Sequence, residues 1–348
     1  MAKHVIFLVH GMGDYPDKWH EPIAAQIQNL YSTYTELADL PFSEFFEFEP
    51  ITYNTEFEAL RQQWRDSTAA LGTAIAASGL DVSVVADLNK LASATNRDSF
   101  LNTHVVDVLL YYFIRQVANT VRATVQNQIL TALSNRGKIG SVRWSIIAHS
   151  LGTSVIHDAL HELYTDASVN PSANFTGVTR PTTIAMIANV SRVLEDGGHF
   201  DVYRSRVRPG ADNLAGCLFY LNARHEWDPF TQPKKFAPMS NWPSMEARIA
   251  ELYVDCQIRD IADVDVHAIE HYLNNPLVHG PLFNSLHGVP ARKGLLDSQA
   301  IDNAHAQYVL HLREAVLDAA LKKLKTLRVG EEEKWPAILR SWVAMLKL

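Results

Sequence analysis

Ser150 lies in the stretch WSIIAHSLGT, residues 144–153, where an apolar run ends at a hydroxyl with Ala148 and Gly152 two places either side. A sharp strand-to-helix turn demands small residues at those two positions and holds the serine oxygen out for attack on a carbonyl. The pattern is that of G-x-S-x-G, with alanine in the first place. An ordinary strand end followed by a helix cap would also put a serine here. The setting favours chemistry: an apolar strand precedes Ser150, and an amphipathic helix follows with Val155, Leu160 and Leu163 available to pack. His149 is expected to pack beside the turn, and His157 to ride the helix.

A serine attacking a carbonyl needs donors for the oxyanion that forms. The N–H of Leu151, directly after the serine, is one candidate. A second should come from a glycine-bearing loop at the end of an earlier strand. The stretch HGMGD, residues 10–14, follows the apolar run Val5–Val9 and meets that need, with Met12 N–H as the candidate donor. Gly11 and Gly13 let the backbone approach a substrate closely. His10 is expected to brace this loop rather than to titrate in a reaction.

The elements that must position these groups follow from hydrophobic pattern. Val5–Val9 is β-branched and continuously apolar, as in a strand buried on both faces of a parallel sheet. Comparable runs recur at Phe46–Tyr53, Trp144–Ala148, Ile184–Val190, Cys217–Asn222 and Glu251–Cys256, with helical patterns between most of them, notably Leu151–Tyr164. This alternation predicts an α/β fold, a mostly parallel sheet with helices on both faces and its ligand edge at the strands' C-terminal ends. The interval between Asn54 and Val142 is far longer than a crossover needs. It carries helical spacing at Phe57, Leu60, Trp64, Thr68, Leu71 and Ile75, and again at Ile114, Val117, Val121, Val125 and Ile129. The expectation is a core of residues 1–54 and 138–348 with a helical cap inserted at 55–137. A long helix over Asp297–Leu327 and a shorter one over Trp335–Leu346 complete the pattern.

Composition bounds the partners. The chain has 348 residues, 47% hydrophobic and 20% charged, with a formal net charge of −7. That suits a globular protein with a sizeable core and argues against nucleic acid, which calls for clustered Lys and Arg. Cys217 and Cys256 both sit in strand-like runs and read as buried free thiols in a reducing compartment. The N-terminus lacks the length and cleavage site of a signal peptide, and Val105–Ile114 is too short and too polar to span a bilayer. A cytoplasmic location without integral membrane association is expected. The cap is the surface available for peripheral contact.

HVIFLVHGMGD followed at a distance by WSIIAHSLGTSVIHDAL resembles the α/β-hydrolase superfamily, in its lipase-like serine esterase branch. DVLLYYF, from Asp107, is similar to a segment of inositol-deacylase-like and DDHD-type phospholipases. The resemblance covers residues 1 to about 290 and is specific at the two glycine motifs. It implies a triad in the order serine, acid, histidine. For the acid it points to Asp228, because Asp-Pro-Phe after a strand resembles the acid loop of related esterases. Glu226, and Glu195 and Asp196 after the Ile184–Val190 run, are the competitors. For the histidine, DVDVHAIEHYLNNPLVHGPLF offers His267, His271 and His279. His267, with Tyr272 five residues on, resembles the loop-to-helix histidine of these esterases; His271 is the runner-up.

The expected chemistry is acyl transfer from a carboxylic ester through an acyl-enzyme, with neither cofactor nor metal required. A small-molecule ester or lipid-like substrate fits the aromatic residues of the cap. Thioester or amide cleavage by the same triad, and a non-catalytic binding protein on the same scaffold, are the alternatives. HAIEH also spells the H-x-x-E-H zinc motif, with Glu270 as base and a distant ligand such as Glu314. Pro276 cuts short the helix that motif needs, and zinc chemistry leaves the serine turn and HGMG unexplained.

Overall fold

The computed structural model describes residues 3–11, 15–57, 115–138, 140–165, 179–192, 202–210, 215–228, 230–231, 234–238, 242, 249–262 and 266–326. Six strands, β1 (His4–Val9), β2 (Phe46–Ile51), β3 (Trp144–His149), β4 (Thr183–Ile187), β5 (Phe219–His225) and β6 (Tyr253–Ile258), make one sheet. It is parallel throughout and ordered β2-β1-β3-β4-β5-β6. The expected α/β class is present.

Period-two alternation explains the unbroken apolar strands. In β1, Val5, Phe7 and Val9 face one core, and Ile6 and Leu8 the other. The first core is closed by α2 (Arg115–Arg136) and α3 (Leu151–Thr165). The second is closed by α1 (His20–Ser32), α4 (Ile269–Leu273), α5 (Pro276–Leu286) and the start of α6 (Ser298–Thr326). Local signals set the helix ends. Asn275 accepts from Leu277 N–H in front of Pro276 at the start of α5, and Asp297 accepts from Ala300 N–H at the start of α6.

The strand boundaries depart from the apolar runs in an instructive way. β5 and β6 each continue past the expected ends, through Arg224 and Gln257, because Arg224 binds Asp255 and Gln257 across the two strands. Charged residues on an exposed sheet face hide a strand from a reading based on apolarity. β4 stops at Ile187, since Ala188 takes a left-handed φ of 49°.

The expected cap is corrected over its last stretch. Residues 115–136 form α2, which lays Val121, Val125, Ile129 and Leu133 against the sheet residues Phe7, Ile51 and Trp144. Gln128 binds Thr52 through both its backbone N–H and C=O, and Arg136 clamps Glu47 and Glu49 of β2. This helix is the ordinary crossover layer between β2 and β3. Residues 58–114, with the remaining expected cap helices, lie outside the described residues, as does Trp335–Leu346.

Among the described residues no helix is long and apolar enough to cross a membrane. Cys217 and Cys256 are buried free thiols, and burial raises both above the ordinary thiol value.

Candidate active site

Ser150 is the hinge between β3 and α3. Its φ of 52° lies in the left-handed region, which costs a residue other than glycine about 1 kcal/mol or more. Three hydrogen bonds hold it there. Its N–H donates to Ile187 O at 3.0 Å, and its carbonyl accepts from Thr153 N–H at 2.9 Å and Thr153 Oγ1 at 2.7 Å. A side chain on Gly152 would place its Cβ 2.3 Å from His10 O, and one on Gly11 would reach 2.8 Å from Ser150 Cβ. The two glycine motifs interlock, which is why each needs its small residue.

The hydroxyl meets an imidazole. Ser150 Oγ lies 2.7 Å from His267 Nε2, and His267 Nδ1–H donates to Asp228 Oδ2 at 2.8 Å. Asp228 follows β5, and His267 lies in the loop between β6 and α4, so three strands of one sheet edge deliver the three groups. All are buried, with exposures of 1% for Ser150, 0% for Asp228 and 4% for His267. Asp228 Oδ1 accepts Phe230 N–H at 2.9 Å, and Oδ2 also accepts Tyr272 O–H at 2.7 Å. Burial opposes its charge, but the bond and charge of His267, then Tyr272 and the Phe230 N–H, outweigh it and hold the carboxyl below its ordinary value. His149 Nε2–H donates to His267 O at 2.7 Å, and the Phe230 ring lies 4.5 Å from the imidazole. These contacts fix the loop that carries the histidine.

The Leu151 N–H sits at the first position of α3, where no intrahelical carbonyl accepts it and the helix dipole favours negative charge. Met12 and Gly13, the other half of the expected oxyanion site, lie outside the described residues. The residues before them are held by a packed aromatic cluster. The buried His10 ring stacks between Tyr15 and Tyr53, and its Nδ1–H donates to Gly11 O at 2.9 Å while its Nε2 accepts Tyr53 N–H. Burial lowers His10 to about 4, so the ring is neutral near pH 7. Tyr53 O–H donates to His10 O at 2.5 Å.

The competing assignments separate. His271 lies within α4 with its ring against His225, and Glu226 pairs with Arg259 at 2.7 Å. His279 accepts from Tyr34 O–H and donates to Leu273 O, inside the second core. Glu195 and Asp196 lie outside the described residues. Both ring nitrogens of His267 are taken up by serine and aspartate, Glu314 is exposed, and no cluster of three metal-ligating side chains occurs among the described residues. Among the described residues the zinc reading of HAIEH has no converging ligand set.

A second serine–histidine–aspartate set provides contrast. His157 Nε2 lies 2.8 Å from Ser205 Oγ, and its Nδ1 2.9 Å from Asp158. Ser205 Oγ, however, also accepts Val207 N–H in a local turn. That is the behaviour of a structural hydroxyl.

Sequence reasoning missed Tyr53 and the tie from Tyr272 to Asp228. The Asx turn at Asp228 had a signal, since Asp-Pro favours a side chain that accepts from the N–H two residues on. No protein-family model matches the chain, and no curated protein or solved structure matches it either.

Proposed function

We propose that this chain is a serine hydrolase of the α/β-hydrolase kind that cleaves carboxylic esters through an acyl-enzyme. The observation that carries the reading is the unbroken line from Ser150 through His267 to Asp228 on a strained strand-to-helix turn. The order serine, acid, histidine after β3, β5 and β6 of a parallel sheet is the order that the sequence resemblance implies.

In this mechanism His267 takes the Ser150 proton as Oγ bonds to the ester carbonyl carbon. The oxyanion is held by Leu151 N–H and, from the glycine loop, Met12 N–H. Collapse breaks the bond to the alcohol, which leaves with the proton from His267. Water, deprotonated by the same imidazole, then attacks the acyl carbon; the bond to Ser150 Oγ breaks, Oγ recovers the proton from His267, and the acid is released. Asp228 holds the imidazole with Nδ1 protonated, which makes Nε2 the acceptor of the Ser150 proton.

Labelling with a fluorophosphonate followed by peptide mapping tests the reading. Ser150 is expected to carry the adduct, and Ser150→Ala to lose both label and p-nitrophenyl ester turnover, by a factor of about 10³ or more. Turnover that persists in Ser150→Ala, or a label elsewhere, would overturn it.

A further inference from the structure

Tyr272 is fully buried in α4, and its hydroxyl joins two groups of different kinds. It accepts His225 N–H, from the end of β5, at 3.0 Å. It donates to Asp228 Oδ2 at 2.7 Å, the same oxygen that accepts His267 Nδ1–H at 2.8 Å. Phenylalanine would fill the same apolar space, so the ring alone does not account for the hydroxyl. A donor on Oδ2 does two things. It fixes the rotamer of Asp228 against a backbone amide of the sheet, and it draws negative charge from the oxygen that faces the imidazole.

We propose that Tyr272 is a positioning residue of the Ser150–His267–Asp228 line, anchoring the carboxylate to β5 and sharing the oxygen that accepts His267 Nδ1–H, which damps the carboxylate's pull on the imidazole. The kinetic consequence rests on the serine-hydrolase reading; the effect on the imidazole does not. Burial first, and then the neighbouring Asp228, push the phenol well above its ordinary value, so it acts as a donor throughout the range in which an imidazole titrates. The titratable groups around this cluster are Asp228, His149 with its ring 5.1 Å from that of His267, His225 and His271 with rings 5.1 Å apart beside Tyr272, and Asp260 beyond His225; Glu270 of α4 is exposed. A change confined to the phenol oxygen alters none of them chemically.

The test compares wild type, Tyr272→Phe and protein with 3-fluorotyrosine at 272. Assigned nitrogen NMR of His267, the pH profile of kcat/KM for p-nitrophenyl acetate and the melting temperature are read on each. With the donor removed, the His267 midpoint and the acid limb of the profile are expected to rise together by about half a pH unit or more. kcat/KM at neutral pH is expected to fall about tenfold. The fluorinated phenol, a stronger donor, should move the midpoint down. An unmoved midpoint in Tyr272→Phe, whatever its melting temperature, overturns the proposal. Should that variant fail to fold, an unmoved midpoint with fluorotyrosine does so instead. A midpoint that shifts as expected in a protein whose Ser150 takes no fluorophosphonate would sink the hydrolase reading and leave the role of Tyr272 standing.

Discussion

Gly152 is the position at which the serine turn tolerates least. An added methyl would meet the His10 carbonyl at 2.3 Å and Val9 at 3.1 Å, at the end of a strand buried on its two faces. Gly152→Ala is expected to lower stability by about 1–3 kcal/mol and to cut ester turnover more than tenfold, since relief of the clash moves Ser150 off His267. Denaturant titration and p-nitrophenyl acetate kinetics check both, and wild-type values in the variant would disprove the interlocked turn. The small residues around Ser150 were legible in the sequence because a tight turn restricts residue type locally. Asp228 and His267 were legible only through their order after successive strands and the resemblance. Tyr272 was not, because its role depends on α4 meeting the end of β5, and nothing in the local pattern distinguishes a core tyrosine from one that touches a carboxylate.

At the scale of elements, Asp260 ties three pieces together just past β6. Its Oδ2 accepts from His305 of α6 at 2.7 Å and from Asn275, ahead of α5, at 3.0 Å; its carbonyl accepts from the His225 ring of β5. The bond from His305 foremost, with Asn275 and against the cost of burial, lowers the Asp260 carboxyl below its ordinary value. A carboxyl lowered in the folded state contributes stability that is present above its unfolded value, about 3.9, and is lost as pH falls through the folded one. Asp260→Asn is expected to cost about 1 kcal/mol at neutral pH, an amount typical of a partly buried charged bond, and to flatten the acid side of the stability curve. Thermal melts across pH decide it, and an unchanged melting temperature would count against the tie. The element boundaries show where pattern reading succeeds and fails. The runs of β1 and β3 were legible because both faces are buried. The ends of β5 and β6 were not, since Arg224 and Asp255 satisfy each other on an exposed face. The stripe Val121, Val125, Ile129 announced a helix without saying which layer would receive it, so its length of separation from β2 suggested a cap.

At the scale of the molecule, buried imidazoles among the described residues shape the first response to acid. Burial is the main cause that lowers His4 to about 3, and His10, His161, His279 and His287 to about 4. The unfolded chain takes up these protons near pH 6.5, and the folded one resists until far lower pH. Stability is therefore fully present above about pH 6.5 and falls as pH drops toward the folded values, ahead of the loss from Asp228 and Asp260. The deeply buried His10 and His279 each add up to about 1.4 kcal/mol per pH unit to that slope. Urea midpoints measured from about pH 7 to pH 4 are expected to fall steeply, and a flat profile would disprove it. The edge strand β2 has a different consequence. Pro50 gives this strand, outermost among those described, a position with no amide hydrogen, and Arg136 holds Glu47 and Glu49 ahead of it in place. As an edge among the described strands, it offers another polypeptide no continuous ladder to dock on, which guards that flank against stacking into polymers.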